Sequence, residues 1–451
     1  MFLLLACSHP VPPPPVAEAP PAPVVEAPPA PPPPPSDPIV EKLLAAARAD
    51  HAAWNRLATL TDHYGPRPTG SKELAGAIEW SLAQFRADGL QNVRAEPVMV
   101  PVWERGVESL MMTAPRTETL AVLALGGSIG TKGIEAPVVV VKSFDELGPQ
   151  VKGKIVLFNS PMAEGVPSVE RYGTAVAYRV QGASKAAQNG AVASLVRSVT
   201  TRSLYTPHTG AMRYEDGVTK IPSAAITPED ADHIARLAAD GTEVRLKLSL
   251  GARSLPDAPS ANAIGEIPGT TNEIVVIGCH IDSWDVGKGA QDDGAGCIQV
   301  MEAMRLLRAL DQAPKRTIRA VLFTNEEFGL RGGVAYDEAH ANEKHVAAVE
   351  SDLGAGRPLG WSVDGSAEDR AWLARALEPT GLGVLGDGGG ADISPLGKRG
   401  VLQVGLHPDD SHYFDIHHTR ADTVDKVDPD VLAEGVGQMA ALAWRLANLD
   451  R

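Results

Sequence analysis

The second half of the chain alternates short, continuous apolar runs with longer segments of helical spacing. Residues 274–277 and 320–323 are apolar throughout, which is typical of strands buried on both faces of a parallel sheet. Strands separated by helices indicate βαβ units, so we predict an α/β fold with a mostly parallel central sheet flanked by helices. The predicted strands are 274–278, 318–324, 345–350 and 401–406, and the predicted helices are 297–310, 367–377 and 429–449.

The first half of the chain has a different pattern. Apolar residues recur at helical spacing in residues 39–51 and 71–88. After residue 136 short strand-like pieces dominate, with small-residue, helix-compatible stretches between them. These strand-like pieces are residues 138–141, 154–158 and 244–249. The change of pattern predicts a β-rich module that is inserted into the larger α/β domain.

Residues 10–38 consist almost entirely of proline, alanine, valine and glutamate. Proline restricts φ and removes amide donors, so this stretch predicts an extended, semi-rigid spacer. Binding of SH3-like partners is the alternative use of such a tract. The predicted organisation begins with a signal or lipoprotein-like start at 1–9 and a proline-rich linker at 10–38. The main domain follows in two parts, 39–134 and 256–451, and the inserted module lies between them at 135–255.

The chain starts with a short apolar run that ends in Leu-Leu-Ala-Cys at residues 4–7. This ending resembles a bacterial lipobox and makes Cys7 a candidate for lipidation. The run is too short to span a bilayer and lacks the basic residues that usually precede the apolar core of a signal peptide. A chance apolar start is therefore the alternative. We expect a protein of the cell envelope, or a secreted one, and favour a lipoprotein in the periplasm or outer membrane of a Gram-negative bacterium.

Length, hydropathy, net charge and cysteine content limit the kinds of fold and binding partner that this chain can have. A length of 451 residues exceeds one typical domain, and mean hydropathy of −0.08 with 44% hydrophobic residues fits a soluble globular protein. The net charge of −15 argues against nucleic acid as a partner and against direct binding to an anionic membrane, so we expect membrane contact only through a lipid anchor. Three cysteines are too few for a disulfide framework.

Metal-capable side chains follow the apolar runs in four clusters: His280, Asp282 and Asp292; Glu326 and Glu327; Asp352; and the His-His-Thr-Arg-Ala-Asp-Thr segment at 417–423. Each cluster alone is compatible with an ordinary role as a helix cap or as solvated charge. Together they follow strands whose carboxyl ends form the active-site edge of an open α/β sheet. Imidazoles and carboxylates suit zinc, and a carboxylate can bridge two ions. This combination predicts a two-metal hydrolase.

The same residues resemble the co-catalytic di-zinc aminopeptidase and carboxypeptidase superfamily, and within it the carboxypeptidase Q family. The resemblance extends over nearly the whole globular part. Its motifs lie at 65–71, 103–106, 205–210, 220–222, 282–287, 350–352 and 392–395. In this superfamily a protease-associated domain interrupts the peptidase domain, and the inserted module would correspond to it. Dimers are common in the resembling family, so a homodimer is one expected assembly, although the sequence does not determine the oligomeric state.

The resemblance implies two Zn²⁺ ions per chain with one shared ligand: His280, Asp292 and Asp352 for one ion, and Asp292, Glu327 and His418 for the other. Glu326 would take a proton from the metal-bridging water and deliver it to the leaving amine. Asp282 would accept the second N–H of the His280 imidazole. The choice of His418 over His417 depends on the resemblance, and His412 is a weaker rival that we expect to be a surface histidine.

The resemblance also suggests substrate contacts. Asp392 lies in a glycine-dense loop and is a candidate for supporting the site or for contacting the substrate amine, although a turn aspartate is an equal alternative. His208 and Tyr205 of the inserted module would close over the site. The expected activity is hydrolysis of short unblocked peptides, with dipeptides favoured. The alternatives are an aminopeptidase that acts on longer peptides and a tethered peptide-binding protein with a structural metal site.

The two cysteines near the metal-capable residues are expected to stay out of the metal site. Cys279 precedes His280 in a strand, so alternation turns its side chain to the opposite face. We predict that Cys279 and Cys297 are small buried thiols, and a disulfide between them in an oxidising envelope is the alternative.

Overall fold

The computed structural model describes residues 36–49, 51–163 and 168–451. The predictions for Cys7, for the lipoprotein-like start and for residues 10–35 of the linker lie outside this part of the chain. Among the helices described, none has both the length and the hydrophobicity needed to cross a membrane.

The described helices include those predicted from the apolar pattern, with ends that agree to within a few residues. Pro38 follows the cap Asp37, whose carboxylate accepts from the backbone N–H groups of Ile39 and Val40. Ser71 caps the helix that begins at Lys72 in the same way. The helices are α1 (Pro38–Ala47), α2 (Ala52–Tyr64), α3 (Lys72–Ala87), α4 (Ser168–Gln188), α5 (Pro228–Ala239), α6 (Ala295–Arg308), α7 (Arg331–Ala339), α8 (Ala367–Leu377), α9 (Ser394–Gly397), α10 (Tyr413–Ile416) and α11 (Pro429–Asn448).

The described strands form two mixed sheets of eight strands each. They are β1 (Gln91–Glu104), β2 (Glu108–Ala114), β3 (Glu118–Leu120), β4 (Val122–Ala124), β5 (Thr131–Val141), β6 (Ile155–Phe158), β7 (Ala193–Arg197), β8 (Ser223–Ile226), β9 (Arg245–Leu250), β10 (Arg253–Ile267), β11 (Glu273–His280), β12 (Thr317–Phe323), β13 (Lys344–Glu350), β14 (Pro358–Asp364), β15 (Val384–Asp387) and β16 (Leu402–Pro408).

The first sheet has the order β1-β10-β12-β11-β13-β16-β14-β15. Its four central strands, β12, β11, β13 and β16, are parallel, whereas β10 and β14 join them antiparallel at either side. The predicted α/β fold with a mostly parallel centre is therefore confirmed. Alternate residues of β11 bury on opposite faces: Val275 and Ile277 join the core that α6 and α11 cover, and Ile274 and Val276 join the core that contains Tyr336 of α7. Burial on both faces accounts for the continuous apolar runs.

The second sheet has the order β3-β2-β9-β5-β6-β7-β8-β4 and comprises strands between Glu108 and Leu250. Its strands β5 to β8 form a parallel group that α4 and α5 accompany, while β2 and β9 pair antiparallel. This sheet begins upstream of residue 135, where the inserted module is predicted to start. The protease-associated domain and its boundaries remain a prediction.

Cys279 and Cys297 form a disulfide, with their Cα atoms 5.1 Å apart. The prediction of two free thiols was therefore wrong. Alternation does turn Cys279 away from His280 into the core under α6. The first turn of that helix carries Cys297, so packing of the helix on the sheet brings the two sulfurs together.

Candidate active site

The metal-capable side chains converge at the carboxyl ends of three neighbouring strands. His280 ends β11 and pairs with Phe323, the last residue of β12. On the other side of β11, Gly278 pairs with Glu350, the last residue of β13. The segments that follow each strand therefore leave the sheet at one edge, which is the usual position of ligand sites in open α/β sheets.

Asp292 lies between two histidines and directs one carboxylate oxygen toward each. Its Oδ1 is 3.3 Å from Nε2 of His280, which is itself 3.1 Å from Oδ1 of Asp352. Its Oδ2 is 3.1 Å from Nε2 of His418, which is 3.0 Å from Oε2 of Glu327. The five predicted ligands thus form two groups of three that share Asp292.

The spacing of these atoms fits zinc. Ligand atoms that bind one Zn²⁺ tetrahedrally at about 2.0–2.2 Å are roughly 3.3–3.6 Å apart. The nitrogen–oxygen separations of 3.0–3.3 Å in the two groups are close to that value. In addition, Oε1 of Glu327 is buried and accepts no hydrogen bond from any described residue. A cation would satisfy this oxygen, since a buried anionic oxygen without a partner is costly.

The second ring nitrogen of each histidine is held by a backbone carbonyl. Nδ1 of His280 is 3.0 Å from the carbonyl oxygen of Asp282, and Nδ1 of His418 is 3.2 Å from that of Thr209. An N–H at Nδ1 leaves Nε2 free to bind a metal. The expectation that the Asp282 carboxylate accepts this N–H is corrected, because Oδ1 of Asp282 is 3.9 Å from Nδ1.

The Asp282 carboxylate instead organises the glutamate pair. Its Oδ1 accepts from the backbone N–H of Glu326 at 3.1 Å, and its Oδ2 accepts from that of Glu327 at 3.3 Å. Glu327 points to His418, whereas the Glu326 side chain lines the cavity and makes no hydrogen bond with the part of the chain that the structure describes. The two adjacent carboxylates therefore have separate surroundings, and only Glu326 is free to exchange a proton with a bound molecule.

Burial and mutual repulsion dominate the electrostatics of the site. Burial, reinforced by nearby Asp352 and Glu327, raises the pKa of Glu326 well above its usual value. Burial and the Asp292 carboxylate raise the pKa of Glu327 to about 7. For Asp292 burial acts in the same direction, but hydrogen bonds from His280 and His418 bring its pKa well below the usual range. Cations bound here would hold the carboxylates in their charged form.

The site opens into a cavity of about 310 Å³. Its lining includes the acidic metal-capable residues together with Tyr172, Arg179 and Arg213. Tyr413 and Phe414 add an apolar surface, and their rings are 5.1 Å apart. A small cavity with one polar, charged wall and aromatic sides is typical of a site for a small substrate.

His417 and His418 are stacked, with ring centroids 3.5 Å apart, and both point toward Asp292. Nε2 of His417 is 3.4 Å from Oδ2 of Asp292, but only His418 also reaches Glu327. Burial, together with the neighbouring His418, lowers the pKa of His417 well below its usual value. His412 is exposed and contacts Asp415 at 3.1 Å, as expected of a surface histidine.

The three predicted substrate contacts differ in position. Asp392 is buried, and neither of its carboxylate oxygens has a hydrogen-bond partner among the described residues. Its backbone N–H donates to Glu350, and neither residue is among those that line the cavity. His208 is buried as well, and burial lowers its pKa to about 3. Tyr205 is half exposed, interacts with Asp230 and is not part of the cavity wall described above.

Two further residues position the site. Asp422 accepts from the backbone N–H groups of Ala290, Gln291 and Asp292 at 3.1, 2.7 and 3.2 Å, so it orients the shared carboxylate. Arg67 is fully buried and donates to the carbonyl oxygens of Ile281, Lys288 and Gly289. The sequence assigned neither role, although both residues lie in motifs that carry the resemblance.

Comparison with known proteins agrees with this geometry. Residues 262–443 match the sequence profile of Peptidase family M28. Carboxypeptidase Q of Bos taurus is 43% identical over 421 residues, which cover 90% of this chain and 88% of that protein. The chain belongs to peptidase family M28. The human carboxypeptidase Q is 41% identical to this chain, again over 421 residues that cover 90% of this chain and 88% of that protein.

Solved structures support the same assignment. The crystal structure of a peptidase M28 precursor from Shewanella amazonensis SB2B is 38% identical, has a TM-score of 0.88, and covers 92% of this chain and 97% of that chain. BSAP, a zinc aminopeptidase from Bacillus subtilis, has a TM-score of 0.65 at 19% identity, covers 88% of this chain and 95% of that chain, and shares the fold. Family membership and the donor set confirm the predicted enzyme class, a metallopeptidase with two zinc ions.

The choice between the stacked histidines can be tested by metal content. We expect His418→Gln to lower bound zinc from two ions per chain to about one, because His418 contacts both Asp292 and Glu327. His417→Gln should retain both ions. Metal analysis of the two purified variants after dialysis measures this difference. The opposite pattern, with zinc lost only from the His417 variant, would transfer the ligand role to His417.

Proposed function

We propose that the protein is a two-zinc exopeptidase that releases the N-terminal residue of short, unblocked peptides, with dipeptides as its main substrates. The observation that carries the proposal is the position of Asp292 between two histidine–carboxylate groups, directly beside a free glutamate in a small cavity. His280, Asp292 and Asp352 would hold one zinc ion, and Asp292, Glu327 and His418 the other.

Each part of the site has a chemical task. Two bound zinc ions would polarise the peptide carbonyl and make water more acidic. Glu326 takes a proton from the attacking water and delivers it to the leaving amine, a task for which its carboxylate is free because it lines the cavity outside both ligand groups. Asp282 holds Glu326 in place through the backbone N–H at 3.1 Å.

The size and charge of the cavity favour short peptides with a free amine. A volume of about 310 Å³ is at the lower end of the roughly 300–1,000 Å³ found for small-molecule sites. Asp352 lines the cavity, and Glu350 and Asp392 are buried near it. This acidic side would attract the positively charged N-terminus of an unblocked peptide. Asp392 acts here through Glu350, in keeping with its buried position.

A length series tests the substrate class. We expect kcat/KM for a dipeptide to exceed that for the tripeptide and hexapeptide with the same N-terminal residue by at least about 10-fold, a factor worth ~1.4 kcal/mol. The N-acetylated dipeptide should not be hydrolysed. Liquid chromatography of digests with the zinc-loaded protein measures all four rates. Equal rates at every length would favour a broader aminopeptidase, and tight zinc binding without any hydrolysis would favour a peptide-binding protein.

We further propose that the enzyme acts in an oxidising cell envelope, held there through lipidation of Cys7. The lipobox-like start and the proline-rich spacer support this location from the sequence. The Cys279–Cys297 disulfide also supports it, because disulfides persist in oxidising compartments.

A further inference from the structure

Arg179 of α4 is a buried cation that lacks a protein counter-ion in the described structure. Only 7% of its surface is exposed, and its Nε has no hydrogen-bond partner among the described residues. No described carboxylate lies within ion-pair distance of its guanidinium, although Glu326, Glu327 and Asp352 line the same cavity. A buried guanidinium without an anionic partner is costly. It is therefore expected where a ligand supplies the anion.

The surroundings hold the Arg179 guanidinium at the cavity wall. Its Cζ lies 5.4 Å from the centre of the Tyr172 ring, and that ring meets His417 edge-on at 5.5 Å. Gly210 also lies against the guanidinium, and a Cβ at this position would displace it. The preceding residue, Thr209, supplies the carbonyl that holds His418. One short segment thus positions both a predicted zinc ligand and the arginine.

We propose that Arg179 binds the C-terminal carboxylate of the substrate and thereby makes the enzyme specific for dipeptides. This inference rests on the proposed exopeptidase function. The planar guanidinium matches a carboxylate with two parallel hydrogen bonds, and the aromatic wall excludes water that would weaken them. Arg213, the other arginine of the described wall, is exposed and contributes less.

The fixed position of the Arg179 guanidinium explains how the enzyme would select its peptide substrates by length. In a dipeptide the carboxylate belongs to the residue that leaves, so it lies at one set distance from the bond that is cut. Each additional residue moves the carboxylate by up to about 3.3–3.6 Å, beyond the reach of Arg179. A carboxylate without this partner would face the acidic wall that carries Glu326 and Asp352, where like charge repels it.

The test compares a dipeptide with its C-terminal amide, which has the same shape but no carboxylate. For the wild type, kcat/KM should be roughly 30- to 300-fold higher for the dipeptide, as expected for a buried charged hydrogen-bonded pair. In Arg179→Gln this ratio should fall to about 1. In Arg179→Lys it should be intermediate, because lysine keeps the positive charge but lacks the two parallel N–H donors of the guanidinium. Arg236→Gln, which removes an exposed arginine from α5, is the matched control and should keep the wild-type ratio.

The ratio separates recognition from stability, since a partly misfolded variant loses both activities together. Equal activity of the wild type on both substrates, or an unchanged ratio in Arg179→Gln, would overturn the role of Arg179. Titration calorimetry on a Glu326→Gln background should show the same preference for the free carboxylate without turnover. If the zinc-loaded wild type hydrolyses neither substrate but the calorimetric preference persists and depends on Arg179, the proposed function fails while the carboxylate contact stands.

Discussion

Replacing Glu326 by glutamine is expected to lower kcat by at least about 10³-fold while both zinc ions remain bound. Glutamine keeps the size of the side chain but cannot accept and return a proton. The Glu326 carboxylate is not part of either ligand group, because it makes none of the short contacts that join Glu327 to His418. Rates on a dipeptide, together with zinc analysis of the same preparation, measure the effect.

Glu327→Gln provides the matched comparison at the adjacent position. This variant should lose activity together with about one zinc ion, since its carboxylate belongs to the second ligand group. A Glu326→Gln enzyme that turns over near the wild-type rate would show that another group moves the proton. Loss of zinc from that variant would instead place Glu326 among the ligands.

Asp292→Ala is expected to release both zinc ions, leaving well under one ion per chain after dialysis and no measurable turnover. Asp292 is the one residue shared by the two groups, and its oxygens are 3.3 and 3.1 Å from the two predicted histidine ligands. Removing it deprives each ion of a charged ligand and leaves two pairs of ligands in place of two triads.

The Asp425→Asn variant, which removes the same charge from an exposed position downstream of His418, serves as the control and should bind both ions. Circular dichroism would confirm that the Asp292 variant is folded. Retention of one full zinc ion in folded Asp292→Ala would mean that the carboxylate belongs to a single ion and does not bridge.

Much of the fold followed from the apolar pattern because the central strands are buried on both faces. A continuous apolar run as short as 274–277 favours a strand over a buried helix, and the predicted strand is β11 with slightly wider ends. Helix α8 has the predicted bounds 367–377, and Ser366 with Asp369 forms the capping box that starts it. The strands β3 and β4 were not predicted, since strands of three residues leave little local signal, and the pairing of β2 with β9 and of β4 with β8 joins residues more than 100 positions apart.

The disulfide and the role of Asp282 depend on tertiary packing, which neighbouring residues in the sequence do not reveal. Alternation along β11 correctly turned Cys279 away from His280, but only helix packing brings Cys297 to it. In the same way, the resemblance implied that the Asp282 carboxylate accepts from the imidazole of His280, yet the chain beyond the strand turns so that the backbone carbonyl of Asp282 meets the ring. The carboxylate is then free to hold the neighbouring β12 segment, a contact between strands that spacing does not reveal.

The α/β class, the metal-capable residues at the ends of strands and, through its motifs, the family were all readable from the amino-acid sequence. These features are local, because each depends on residue types and their spacing within a short stretch of the sequence. The folded chain determined which atoms meet: the two oxygens of Asp292 contact His280 and His418, and Arg179 lines the same cavity without a carboxylate partner among the described residues. Asp292 is 12 positions from His280 and 126 positions from His418, and the geometry of these contacts depends on how helices and loops pack against the sheets.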